Sequence, residues 1–113
     1  MASYKKEFPA ELARAGEARH FVAWLGAVAG LRGGALSDLA VAAEAVLTDI
    51  FLSVEKDATL EIESETTENV LKVTIHHPKL RRRRMADLDG IMAQFLDEHG
   101  LSPTQALLVK RLG

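Results

Sequence analysis

The stretch Val73-Thr74-Ile75-His76-His77-Pro78-Lys79-Leu80-Arg81-Arg82-Arg83-Arg84-Met85 decides how this chain is organised. Its first residues alternate apolar and polar, the pattern of a half-buried strand. Pro78 offers no backbone N–H and interrupts pairing. Reading backward, Val70 to His77 turns Leu71, Val73 and Ile75 inward. Thr66 to Asn69 supplies a turn, and Thr59 to Glu65 sets Leu60 and Ile62 on one face with Glu61, Glu63 and Glu65 on the other. That is a hairpin. Reading forward, Met85, Leu88, Ile91, Met92, Phe95 and Leu96 recur at helical spacing and predict a helix from Met85 to about Glu98. Gly100 serves as its stop and Ser102-Pro103 as a turn, after which Gln105 to Leu112 reads as a closing strand.

The N-terminal half supplies the covering layer. Tyr4 to Phe8 reads as a short strand ended by Pro9. From Glu11 to about Leu31 the set Leu12, Ala15, Ala18, Phe21, Val22, Leu25, Val28 and Ala29 steps by three or four, as an amphipathic helix does. Gly30, Gly33 and Gly34 break it. Ser37 and Asp38 then form an N-cap and first turn for a helix with the face Leu39, Ala43, Val46, Leu47, Ile50, Phe51 and Val54. The expected order is β-α-α-β-β-α-β. The expected fold class is α+β, a two-layer sandwich in which a mixed sheet carries its helices on one face.

Composition narrows the possibilities. A chain of 113 residues forms one domain, 1–113, with a single core. Hydrophobic residues are 48% and charged ones 27%, a balance that fits a soluble globular protein. No apolar run reaches the ~20 residues that cross a bilayer, and Met1 to Pro9 lacks the apolar core of a secretion signal. The absence of cysteine excludes disulfide and thiolate chemistry and fits a cytoplasmic location. With a net charge of −2, attraction to anions must be local.

The order of elements and the texture of Phe8-Pro9-Ala10-Glu11-Leu12-Ala13, Arg19-His20-Phe21-Val22, Leu39 to Asp49, Leu71 to Ile75, Asp89-Gly90-Ile91-Met92 and Gln105 to Leu112 resemble the GHKL (histidine-kinase-like) ATPase fold. The small bacterial anti-sigma regulatory factors are the branch it resembles most. The resemblance implies a helix that carries a Glu and, four residues on, an Asn that coordinates magnesium beside the phosphates. Here the frames give Glu44 with Thr48, or Ala45 with Asp49, and neither keeps both partners. It also implies an adenine-binding Asp followed by glycines. His77, Pro78 and Lys79 stand there instead, and only Lys79 to Arg84 separates strand from helix, so the glycine-rich lid is missing. The resemblance therefore implies a degenerate GHKL domain without ATP hydrolysis. If Mg-ATP binding is retained, Glu44, Asp49 and His77 are the cofactor-binding residues; Asp49 offers oxygen ligands to a hard cation.

Beyond the resemblance, the residues offer few groups for chemistry. His76 and His77 are adjacent on a strand end and point to opposite faces, so together they cannot chelate one metal. His20 and His99 lie on other elements without metal-ligand spacing, and no metal site is expected. No nucleophile stands beside a base, and no glycine loop cradles a phosphate. Arg81, Arg82, Arg83 and Arg84 precede a helix, where its macrodipole disfavours cations. They read either as a solvated charge run or as a site for carboxylates or phosphates, which the guanidinium fork suits. Asp87 and Asp89 offer them relief from within the helix. Trp24 falls off the main apolar stripe, and an exposed tryptophan there marks a dimer or partner surface.

The expectation is a regulatory protein–protein interaction domain of anti-sigma-factor type, with no catalytic residues. By resemblance its partner is a sigma factor, an antagonist protein or a second copy of the chain. Trp24 and Arg81 to Arg84 would carry the contact. The alternatives are a divergent ATP-binding anti-sigma serine kinase, and anion or nucleic-acid binding through Arg81 to Arg84. Net acidity and the absence of interleaved aromatic residues argue against nucleic acid.

Overall fold

The computed structural model of the protein describes residues 2–55, 57–80 and 85–112. The elements are β1 (Ala2–Pro9), a 3-10 turn (Leu12–Arg14), α1 (Ala15–Ala29), α2 (Gly33–Ser53), β2 (Thr59–Thr66), β3 (Val70–His76), α3 (Met85–Phe95), β4 (Glu98–Ser102) and β5 (Gln105–Arg111). The five strands form one sheet in the order β1-β2-β3-β5-β4, so β1 and β4 are its edges. The α+β class holds. All four pairings are antiparallel, which corrects the expected mixed sheet. The difference comes from β4, which turns tightly into β5 as a hairpin.

Register explains the layering. Phe8 sits opposite Leu60, Ile62 opposite Ile75, Val73 opposite Leu108, and Ile75 opposite Ala106. Directly opposed residues share a face, so these side chains form one apolar layer. Ala18, Val22 and Leu25 of α1, Leu39, Val46, Leu47 and Ile50 of α2, and Met92 of α3 join the same cluster. The opposite face carries Lys5, Glu7, Glu61, Glu63, Glu65, Lys72, Thr74 and His76 by strand alternation.

Three boundaries differ from expectation, each for a local reason. Leu12 lies in the 3-10 turn and is exposed, and Val28 is exposed too, so the buried stripe of α1 is narrower than its spacing predicts. The α1–α2 connection is tight: Gly30 adopts φ 108°, its N–H donates to the Ala27 carbonyl, and the Leu31 N–H donates to the Gly26 carbonyl. This is a Schellman turn, which a left-handed glycine makes possible. Gly33, at φ 55°, starts α2 four residues before Ser37, so Gly33 and Gly34 belong to the helix and Ser37 is not its cap. Finally, α3 ends at Phe95, and Glu98–Ser102 is a strand rather than helix end and stop. Gly100 pairs opposite Leu107.

One buried cation holds the far end of the sheet. Lys110 on β5 is 9% exposed. Its Nζ donates to the Phe95 carbonyl at 3.1 Å and lies 3.8 Å from both Asp38 and Asp97. The ammonium thus meets the carbonyl end of α3, where a helix favours positive charge.

Candidate functional site

The feature that departs most from an ordinary polar surface is an aromatic ladder on the β1 side of the molecule. Phe8 is buried on β1. Phe21, half-buried on α1, packs against it with ring centroids 5.6 Å apart. Trp24, one helical turn further on, stacks on Phe21 at 5.8 Å and 19°. Tyr4, two residues along the sheet face from Lys6, meets the Trp24 ring edge-on at 5.0 Å and 79°. The ladder therefore climbs from the core to the surface, where Trp24 is 44% and Tyr4 37% exposed. Spacing explains the placement. Residues 21 and 24 are three apart and lie on one helix face. Residues 4, 6 and 8 share one strand face.

Charge surrounds the aromatic rings. The Lys6 ammonium lies 5.4 Å from the Phe8 centroid and 5.8 Å from that of Phe21, within cation–π range. Between β1 and α1 opens a cleft of about 600 Å³, lined by Lys6, Arg14, Glu17, His20, Phe21 and Trp24. Arg14 and Glu17 form an ion pair at 2.9 Å on its rim. Stacking fixes the rings in place, so little side-chain entropy remains to be lost when a partner covers them. An exposed aromatic patch with a cationic and polar rim is the composition of a contact surface.

The residues expected to hold nucleotide are placed as follows. Glu44 is exposed on α2 and accepts a hydrogen bond from the Arg19 guanidinium on α1 at 3.0 Å. Asp49 is half-buried, five residues on, which puts it about 140° around the helix from Glu44. The two acids do not share a face. His77 is buried just beyond β3. Its backbone N–H donates to the Thr104 carbonyl at 2.9 Å, and its Nδ1 lies 2.8 Å from the Pro78 carbonyl oxygen. The turn between β4 and β5 therefore holds this histidine against the sheet. Arg81 to Arg84 lie outside the described residues. Asp89, expected to relieve them, lies 3.2 Å from His99 Nε2.

Tyr4 and Lys6 belong to the site, although the sequence reading assigns them only to a strand. The alternation Tyr4, Lys6, Phe8 is visible in the sequence. Their convergence with α1 needs the pairing of β1 with β2, which brings residues some sixty positions apart together. Trp24, by contrast, is exposed as its off-stripe position allows. No protein-family model and no curated protein matches this chain. Among the described residues, no helix is long and apolar enough to cross a membrane.

Proposed function

We propose that this protein is a regulatory docking domain that works by binding another protein, with the Tyr4–Trp24 end of the aromatic ladder as the centre of the contact. The observation that carries this reading is an exposed tryptophan packed between Phe21 and Tyr4 at the mouth of a polar-rimmed cleft. Tryptophan, tyrosine and arginine dominate the energetics of protein contacts because they bury large rigid surfaces. The edge position of β1 supports the same reading, since an edge strand can accept a further strand from a partner. The resemblance to anti-sigma regulatory factors names the kind of partner: a sigma factor, an antagonist protein or a second copy of the chain. By the same resemblance, the guanidinium groups of Arg81 to Arg84 would meet acidic groups of the partner.

The test is co-purification with the endogenous partner. Wild-type protein retains the partner, and Trp24→Ala with Tyr4→Ala loses it while keeping the wild-type far-ultraviolet spectrum and melting curve. Retention by the double variant overturns the assignment of the surface. Trp24 fluorescence supplies the control against the kinase alternative. Millimolar Mg-ATP leaves the emission unchanged if docking is the function, and a saturable change, lost in Glu44→Ala with Asp49→Ala, replaces it by nucleotide binding.

A further inference from the structure

We infer that the helix-free face of the sheet carries a divalent transition-metal site formed by Glu61, Glu63 and His76. The three side chains are half-buried, and their ligand atoms all lie within 4.8 Å of one another. The backbone sets this convergence. Glu61 and Glu63 are two apart on β2 and so share a face, and His76 on β3 is the direct cross-strand partner of Glu61. Both strands lie inside the sheet, with neighbours on each side, so the donors stand on a rigid frame. His76 Nε2 already faces the carboxylates, 2.7 Å from Glu63 Oε1.

A second feature sets this cluster apart from acidic residues dispersed on a surface. Glu7 on β1 stands directly opposite Glu61, and like charges so placed repel. Glu7, Glu61 and His76 line one groove of about 290 Å³ on this face. The only described cation bridged to these acids is Lys5, 3.5 Å from Glu61 Oε1 and 62% exposed. A long exposed lysine is displaced at small cost. A divalent ion would bring Glu61 and Glu63 to one charge centre and offset the repulsion from Glu7.

Donor chemistry selects the ion. One imidazole nitrogen with two carboxylate oxygens suits zinc and its neighbours, whereas magnesium and calcium favour all-oxygen sites. Tetrahedral zinc, with bonds of about 2.0–2.2 Å, places ligand atoms roughly 3.4 Å apart. Small rotations of half-exposed side chains reach that spacing from the arrangement present. Three protein donors leave the fourth position for water or for a donor from a bound partner.

Calorimetric titration of the untagged full chain with zinc chloride, alongside nuclear magnetic resonance of the histidine rings, tests the site. The expected result is a single saturable site, with the His76 ring resonances moving and those of His20 and His99 unchanged. His76→Gln weakens binding by more than ~10-fold, and so does the double variant Glu61→Gln with Glu63→Gln. His99→Gln, which removes a histidine–acid pair elsewhere, leaves it intact. Both sets of ligand variants carry their changes on half-exposed side chains, and melting in the absence of zinc verifies their fold. Absence of saturable zinc binding, or zinc affinity unchanged in both the His76 and the double glutamate variants, overturns the proposal. An equal response to magnesium overturns the choice of ion.

Discussion

At Gly30 the chain needs a left-handed residue, and nothing lies within 4 Å of where a Cβ would stand. The cost of Gly30→Ala is therefore backbone strain alone, about 1–2 kcal/mol, and urea denaturation should show a lower midpoint with an unchanged slope. Gly34 provides the opposite case. It lies in the first turn of α2 with no positive φ and open space around its Cβ position. Gly34→Ala should raise stability by about 0.5–1 kcal/mol by restricting the unfolded chain. Two glycines four residues apart thus respond with opposite signs. Ser64 offers a third residue-level test. Its hydroxyl is buried on β2 without a hydrogen-bond partner among the described residues, so Ser64→Ala removes an unsatisfied group and should stabilise by about 1 kcal/mol. A melting temperature at or below wild type would show that the hydroxyl is satisfied in solution.

At the level of elements, what the sequence discloses depends on whether an element declares itself locally. The stripe of α2 and the alternation of β2 and β3 are self-contained signals, and each appears in the fold with its predicted face inward. Glu98-His99-Gly100-Leu101-Ser102 contains none of the strand-favouring residues Val, Ile, Thr, Tyr, Phe or Trp, and it becomes a strand through its pairing with β5. Its identity is tertiary. The aromatic ladder was half legible: Trp24 stands out by falling off its stripe, but its contact with Tyr4 depends on long-range strand pairing. The Glu61–His76 pairing was readable in principle, because a hairpin turning through Thr66 to Asn69 fixes which residues oppose one another. The adjacency of His76 and His77 is the louder local signal, and it says nothing about which side chains lie across the strands. Lys110 makes the elements interdependent, joining β5 to the end of α3 and the start of α2. Lys110→Ala should cost about 2 kcal/mol or more in denaturant titration, by orphaning the Phe95 carbonyl and leaving a void. Lys110→Met keeps the stem packing and should lose less.

Across the whole molecule, strand order predicts a gradient of local stability. β3 is central, with β2 and β5 as its neighbours, whereas β1 and β4 each have one. Amide exchange should be slowest at Val73, Ile75 and Leu108, matching global unfolding, and faster in β4 and along β1. Uniform protection across the five strands would contradict that gradient. The proposed docking surface falls at the low-stability margin and the proposed metal cluster falls near the centre. Binding at the first can then reshape an edge, while binding at the second reinforces a frame that is already firm.

The pairing of Ala2 with Thr66 also carries a consequence for biosynthesis. The first strand leaves the ribosome long before β2, its only neighbour among the described strands, exists. At about 5–20 residues per second, the nascent segment waits roughly 3–13 seconds for its mate. During that interval Tyr4 and Phe8 have no strand beside them, and the charges of Lys5, Lys6 and Glu7 between them should disfavour adhesion between neighbouring polysomal chains.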